Sequence, residues 1–288
     1  MNKLLSVESY KGKVAPDWCP GCGNFAQLRS ISAALAELNI EPENVVITSG
    51  IGCSSNMPEF VDVYGYHGLH GRSVPVAAGI KWANPDLTVI AYGGDGDGYF
   101  EGTQHLYHFS KRNVDITYMV SDNQVFGLTT GQASPTTPIG RITKNTPDGN
   151  IEPPFNPLQY ALTAGASFVA RGFSGDIKNL TEITKEAIKH RGFSFIDVLS
   201  PCPTYNKFNG YDFYRKTFYR LEDNNKEDFY EAYKHASEWG DQPHSIPTGI
   251  FYEVNKTRYE DADEVLSKGS LKKTAPYKLT EEDLGEFY

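Results

Sequence analysis

No run of apolar residues in the chain approaches the ~20 that a membrane-spanning helix needs. The opening stretch, 1–17, lacks the apolar core of a secretion signal. A cytoplasmic enzyme or enzyme subunit, with no membrane partner, is therefore expected. Basic residues are in short supply: 27 Lys and Arg stand against 36 Asp and Glu, a net charge of −9. Without a basic stripe, nucleic acid is not an expected partner. Internal repeats and low-complexity tracts are missing. Cysteine is scarce as well, with four in 288 residues. An intracellular chain of this size is not expected to use them as structural disulfides. Each sits among Gly or Pro, in Trp18-Cys19-Pro20-Gly21-Cys22-Gly23, Gly50-Ile51-Gly52-Cys53 and Pro201-Cys202-Pro203. Core-filling cysteines lie in apolar periodic runs, so this placement favours a ligand role.

What is present is an alternation of patterns. The 18 Tyr and 16 Phe supply much of the large buried surface. The length allows one large α/β domain with additions, or two small domains. Apolar residues at three- and four-residue spacing predict a helix from Phe25 to near Asn39, with Asn24 as its cap. Further helices are expected over 73–83, 101–111, 157–165 and 176–190. Short β-branched or apolar runs predict strands over 45–48, 87–92, 114–121, 167–171 and 193–199. The stretch 57–66 is ambiguous. Strand–helix alternation from about 24 to 200 argues for an α/β fold, a parallel sheet with helices on both faces. Residues 1–203 are read as the binding domain. Residues 204–288 are read as a C-terminal extension ending in an arm from about 268. The segment 132–157, rich in Pro, Thr, Gly and Asn, is a long loop of the kind that is usually functional.

The chemistry concentrates at Gly93-Gly94-Asp95-Gly96-Asp97-Gly98, which follows the strand at 87–92. Glycines at a strand-to-helix turn let backbone N–H groups approach an anion. Two carboxylates inside an anion site make sense if Mg²⁺ bridges them to phosphate. An acidic surface turn is the plain alternative. Asn123 follows Asp95 by 28 residues, just past the next strand. Asp95, the Asn123 amide oxygen, a backbone carbonyl and two phosphate oxygens would nearly fill an octahedral shell. That spacing resembles the thiamine diphosphate motif. Cys19-Pro20-Gly21-Cys22 could be half of a zinc site, a dithiol or half of an iron–sulfur site. No thioredoxin-type strand precedes it, which disfavours the dithiol. With Cys53 and Cys202 it makes a four-cysteine set that suits either zinc or a 4Fe-4S cluster. A redox cluster beside the cofactor would be useful there, whereas zinc would be a staple. His67 and His70, in a Gly-punctuated loop ending at Arg72, make either a polar turn or a contact to the cofactor diphosphate. His105 and His108 read as ordinary helix residues.

These motifs, with His70-Gly71-Arg72, Asp122-Asn123, Gly127-Leu128-Thr129-Thr130-Gly131-Gln132-Ala133-Ser134-Pro135-Thr136 and Pro201-Cys202-Pro203-Thr204, resemble the β subunit of 2-oxoacid:ferredoxin oxidoreductases. The resemblance runs in order from about 17 to 255. It implies that Cys19, Cys22, Cys53 and Cys202 bind a 4Fe-4S cluster. It implies that Asp95, Asn123 and the Val125 carbonyl bind Mg²⁺. Ile51, Gly52, Cys53, Ser54, Gly68, Leu69, His70, Gly71, Gly96, Asp97, Gly127 and Leu128 would surround thiamine diphosphate. The implied reaction is coenzyme A-dependent oxidative decarboxylation of a 2-oxo acid to acyl-CoA and CO2, with electrons passed through the cluster to ferredoxin. Pyruvate, 2-oxoglutarate or a broad range of 2-oxo acids would fit. An α subunit, fused to a γ portion in some members, would complete the site and supply the activating acid. Some members carry Lys three residues after the third cysteine; here that position is Asn56. Two other readings stand beside this one. One is a non-redox thiamine diphosphate decarboxylase or synthase with a structural zinc. The other is a non-catalytic subunit that presents a cluster without thiamine.

Overall fold

The computed structural model describes residues 4–239, 245–271 and 285. Helix α1 (Asn24–Glu37) leads to β1 (Val45–Ser49), whose residues are all buried, as in a central parallel strand. Asn24 does not cap α1. Gly23 holds the cap position, and the Asn24 side chain turns inward to accept from Ser121 Oγ at 2.8 Å. The ambiguous stretch contains α2 (Met57–Phe60) and β2 (Tyr64–His67), an exposed edge strand. Next come α3 (Ser73–Ala83), with Pro75 in its first turn where it costs no helical bond, and β3 (Thr88–Gly94). One π-helical turn, Gly96–Glu101, precedes α4 (Thr103–Arg112). Strand β4 (Thr117–Asp122) runs into a hairpin of β5 (Val125–Phe126) and β6 (Gln132–Ala133).

Helix α5 (Pro157–Thr163) and helix α6 (Ile177–Lys189) flank β7 (Phe168–Phe173). Asn156 and Asp176 cap the two helices by accepting backbone N–H groups. Strand β8 (Ser194–Leu199) follows. Beyond it lie α7 (Tyr211–Thr217), β9 (Phe218–Arg220), α8 (Phe229–Ala236), β10 (Ile246–Glu253) and α9 (Tyr259–Ala262).

Among the described residues, eight strands form one sheet in the order β2-β1-β3-β4-β8-β7-β10-β9. From β2 to β7 all neighbours are parallel; β10 is antiparallel to β7. Val74 and Ala77 of α3, Leu106 and Phe109 of α4, Leu158 of α5 and Ala232 of α8 pack on one face. Ile31 and Leu35 of α1 with Leu180 and Ile183 of α6 pack on the other. The sheet continues across the boundary expected at 203/204, because β9 and β10 hydrogen-bond into it. Most of the expected arm, 272–284 and 286–288, lies outside the described residues. Among the described residues, no helix is long and apolar enough to cross a membrane.

Candidate active site

Parallel neighbours β2, β1, β3, β4 and β8 bring their carboxyl ends to one edge of the sheet. Beyond this edge α/β folds place ligands. A cavity of about 100 Å³ there is lined by Ile51, Gly52, Cys53, Ser54, His70, Asp95, Gly96, Asp97, Asn123, Val125, Gly127 and Leu128. Cys19, Cys22, Cys53 and Cys202 line a second cavity of about 220 Å³, with Trp18 and Asn56. Cys53, Asn123, Gly127 and Leu128 face both cavities, so the two adjoin. Three expected residues do not line the first cavity. Leu69 is 74% exposed, Gly68 donates its N–H to the Ser49 carbonyl at 2.9 Å, and Gly71 serves Asp97 instead.

Asp97 ties the loops together. Its Oδ1 accepts the N–H of Ile51 at 2.8 Å and of Gly71 at 2.7 Å, and His70 Nδ1 lies 3.1 Å away. Contact with this carboxylate, outweighing burial, raises the His70 pKa above its ordinary value. Asp97 Oδ2 is buried with no partner among the described residues. Gly50 is required beside it, since a Cβ there would fall into both carboxylate oxygens. Gly96 is required for a related reason, because the Phe126 ring occupies the place of its Cβ.

Asp95 is buried, and its Oδ2 accepts from Ser134 Oγ at 2.5 Å and Thr136 Oγ1 at 2.8 Å. Burial still pushes its pKa up to about 6. Burial and the carboxylates of Asp197 and Asp95 raise Asp122 well above the usual range. Asn123 Oδ1 accepts the Val125 N–H at 3.0 Å, an Asx turn that aims the amide oxygen along the loop. Burial pushes the Cys22 thiol up to about 12, and burial with the neighbouring Cys202 and Cys19 raises Cys53. A cationic centre among these groups would reverse all such shifts.

Residues 50–198 match the family model of the thiamine pyrophosphate enzyme C-terminal TPP-binding domain. Residues 202–268 match the model for the C-terminal part of the pyruvate ferredoxin oxidoreductase beta subunit. The beta subunit of 2-oxoacid:ferredoxin oxidoreductase 1 from Aeropyrum pernix is 45% identical over 269 residues, spanning 88% of this chain and 83% of that one. The chain belongs to this β-subunit family. Another 2-oxoacid:ferredoxin oxidoreductase β subunit, from a Sulfolobus species, is 44% identical across 93% of this chain and 92% of its own. A solved 2-oxoglutarate:ferredoxin oxidoreductase from Magnetococcus marinus, with 2-oxoglutarate, coenzyme A and succinyl-CoA bound, superposes with a TM-score of 0.87. It is 42% identical and covers 92% of this chain and 89% of that one.

The β subunit also carries polar residues at the site that sequence reading did not assign to it. Ser134 and Thr136 hold Asp95, and Thr136 also meets Asp122 Oδ1 at 2.7 Å. Behind them Arg171 and Asp197 form a buried ion pair at 2.9 Å, joined by the Tyr99 hydroxyl at 2.7 Å. The available signal was the Ser-Pro-Thr-Thr run two residues beyond the Gly127–Gly131 turn, and two charged residues inside predicted strands.

Proposed function

We propose that this β subunit binds thiamine diphosphate through Mg²⁺ and holds a 4Fe-4S cluster. With an α subunit it carries out the coenzyme A-dependent oxidative decarboxylation of a 2-oxo acid, and ferredoxin takes the electrons. The observation that carries this reading is the pair of adjoining cavities at one sheet edge, one walled by Asp95, Asp97 and Asn123, the other by four thiols.

The residues fit these groups. Asp95, the Asn123 amide oxygen and the Val125 carbonyl are hard oxygen donors of the kind Mg²⁺ takes together with phosphate. The orphaned Asp97 Oδ2 is a free acceptor that suits a ligand donor or a cation, since the loop N–H groups are spent on Oδ1. The cavity of about 100 Å³ stands half open to solvent rather than closing over a ligand. That supports a half-site completed by an α subunit, which would also bring the activating acid. Four thiols around about 220 Å³ suit a cluster better than one zinc ion. Unpaired thiols also suit a cytoplasmic location. When bound, thiamine diphosphate supplies the nucleophilic carbon and electron sink for decarboxylation, and the cluster a one-electron acceptor. This chain's residues bind and orient: Asp97 fixes the loops at 51 and 71, and the cysteine loops set the second cavity against the first.

The test is anaerobic co-expression with the α subunit and coenzyme A-dependent dye reduction against pyruvate, 2-oxoglutarate and branched 2-oxo acids. Iron and sulfide should be present, and Asp95→Ala should weaken Mg²⁺-dependent thiamine diphosphate binding by about 10-fold or more. A colourless, zinc-loaded protein would sink the cluster. Unchanged cofactor affinity in Asp95→Ala would remove Asp95 from the site.

A further inference from the structure

The segment 132–137 is tied to both loops of the proposed cation site. Its first residues pair with the Asn123 loop, with Val125 opposite Ala133 and Phe126 opposite Gln132. Thr137 Oγ1 donates to the Gln124 carbonyl at 2.6 Å and accepts the Ser134 N–H at 2.8 Å. Between these anchors Ser134 Oγ and Thr136 Oγ1 reach across to Asp95 Oδ2, at 2.5 and 2.8 Å. Thr136 Oγ1 also lies 2.7 Å from Asp122 Oδ1, at the end of the neighbouring strand. Ser134 is 7% exposed and Thr136 fully buried, although they stand in a Pro- and Thr-rich loop where hydroxyls ordinarily face water. The large majority of buried hydroxyls find a hydrogen-bond partner, and both of these find it in a carboxylate.

We propose that Ser134 and Thr136 are positioning residues for the cation. Two hydroxyls on Oδ2 fix the Asp95 carboxylate in one rotation and favour Oδ1 as the oxygen turned toward Mg²⁺. Thr136 Oγ1 stands between Asp95 Oδ2 and Asp122 Oδ1 and, with a single proton, donates to one of them at a time, which keeps the ends of β3 and β4 side by side. Outer hydrogen bonds of this kind orient a metal's ligands and raise affinity without touching the metal. The inference rests on the reading of Asp95 as a Mg²⁺ ligand.

The test uses the holoenzyme with its α subunit, saturating thiamine diphosphate, and Mn²⁺ titrated in place of Mg²⁺ with binding followed by electron paramagnetic resonance. Thr136→Val keeps the shape and removes the hydroxyl; Ser134→Ala does the same at the second position. Each is expected to weaken Mn²⁺ binding about 10–100-fold, and Thr136→Ser to restore it. A purely structural role would lower the thermal midpoint of the metal-free protein and leave Mn²⁺ affinity alone. Wild-type Mn²⁺ affinity in Thr136→Val and Ser134→Ala, with binding lost in Asp95→Ala, overturns the positioning role while keeping the site. Equal weakening in Thr136→Val and Thr136→Ser overturns it for Thr136. If Thr136→Val does not fold, Ser134→Ala decides alone. Wild-type binding in Asp95→Ala would instead remove the cation reading on which the proposal stands.

Discussion

Asp95 and Asp97 stand two residues apart and do different work. Asp95 keeps one oxygen under two hydroxyls. Asp97 spends its Oδ1 on the N–H groups of Ile51 and Gly71, so that three loops converge on one carboxylate. Its contact with His70 has a measurable consequence. An unperturbed His titrates near 6.5, and the Asp97 contact raises His70 above that in the folded chain. The contact therefore contributes its full stability below the unfolded value. That contribution is lost as pH rises through the folded one. A proton NMR titration of the cofactor-free protein should place the His70 midpoint above the ordinary value. In Asp97→Asn the midpoint should fall to the ordinary value or below, since the burial that remains acts to lower it. A midpoint that stays raised in Asp97→Asn would show that another group holds the proton.

At the scale of elements, the site is braced from behind by β7 and β8. Arg171 and Asp197 face each other in the parallel register of these strands, and both are fully buried. Arg171 Nε donates to Asp197 Oδ2, and the guanidinium carbon stands 4.5 Å from the Trp239 ring centre. Removing one partner of such a pair leaves an uncompensated charge, at a cost of about 3–5 kcal/mol, whereas neutralising both costs less. Urea unfolding should show that drop for Arg171→Met. The double variant with Asp197→Asn, which keeps an acceptor for Tyr99, should recover part of it. A double variant no more stable than the single would place the loss in packing against Trp239. Neither partner was assigned a place from sequence, because cross-strand pairing of two charges depends on register, which no local pattern reports. The central strands were legible because a strand buried on both faces is a continuous apolar run, as at Val45–Ser49. Strand β10 was not: Pro247 and Gly249 interrupt its pattern, and it carries a bulge near Phe251. Strand β2, Tyr-Gly-Tyr-His and exposed throughout, offers no alternation to read. The loops of Cys53 and Cys202 and the Gly-Asp loop showed because Gly and Pro mark strand ends. Ser134 and Thr136 did not, because loop hydroxyls look the same in sequence whether they face water or a carboxylate.

For the whole molecule, the edge that gathers both cavities is also where large apolar side chains are left in water. Phe100 is 65% exposed and Ile151 88%, on the walls of an open cavity of about 680 Å³ next to the Asp95 loop. Leu128, 54% exposed, faces the two inner cavities beside it. Exposed apolar groups grouped around a functional edge mark a surface that a partner covers, and a β subunit has an α subunit to cover it. Large apolar side chains buried at the centre of an interface cost about 2 kcal/mol or more when lost, roughly 30-fold in affinity. Phe100→Glu and Ile151→Glu should each weaken association with the α subunit by at least that order in sedimentation velocity. Phe100 meets the Phe126 ring edge-on at 6.4 Å between centroids, and neither side chain belongs to the core, so thermal stability of the isolated chain should change little. Leu4→Glu is the control. That residue is 91% exposed, and its neighbour Leu5 bonds Asn39, past the end of α1 and at the opposite edge of the sheet. It should leave association unchanged. If all three variants assembled like wild type, the α subunit would have to close the half-site from another side, and the 680 Å³ cavity would face solvent in the assembled enzyme.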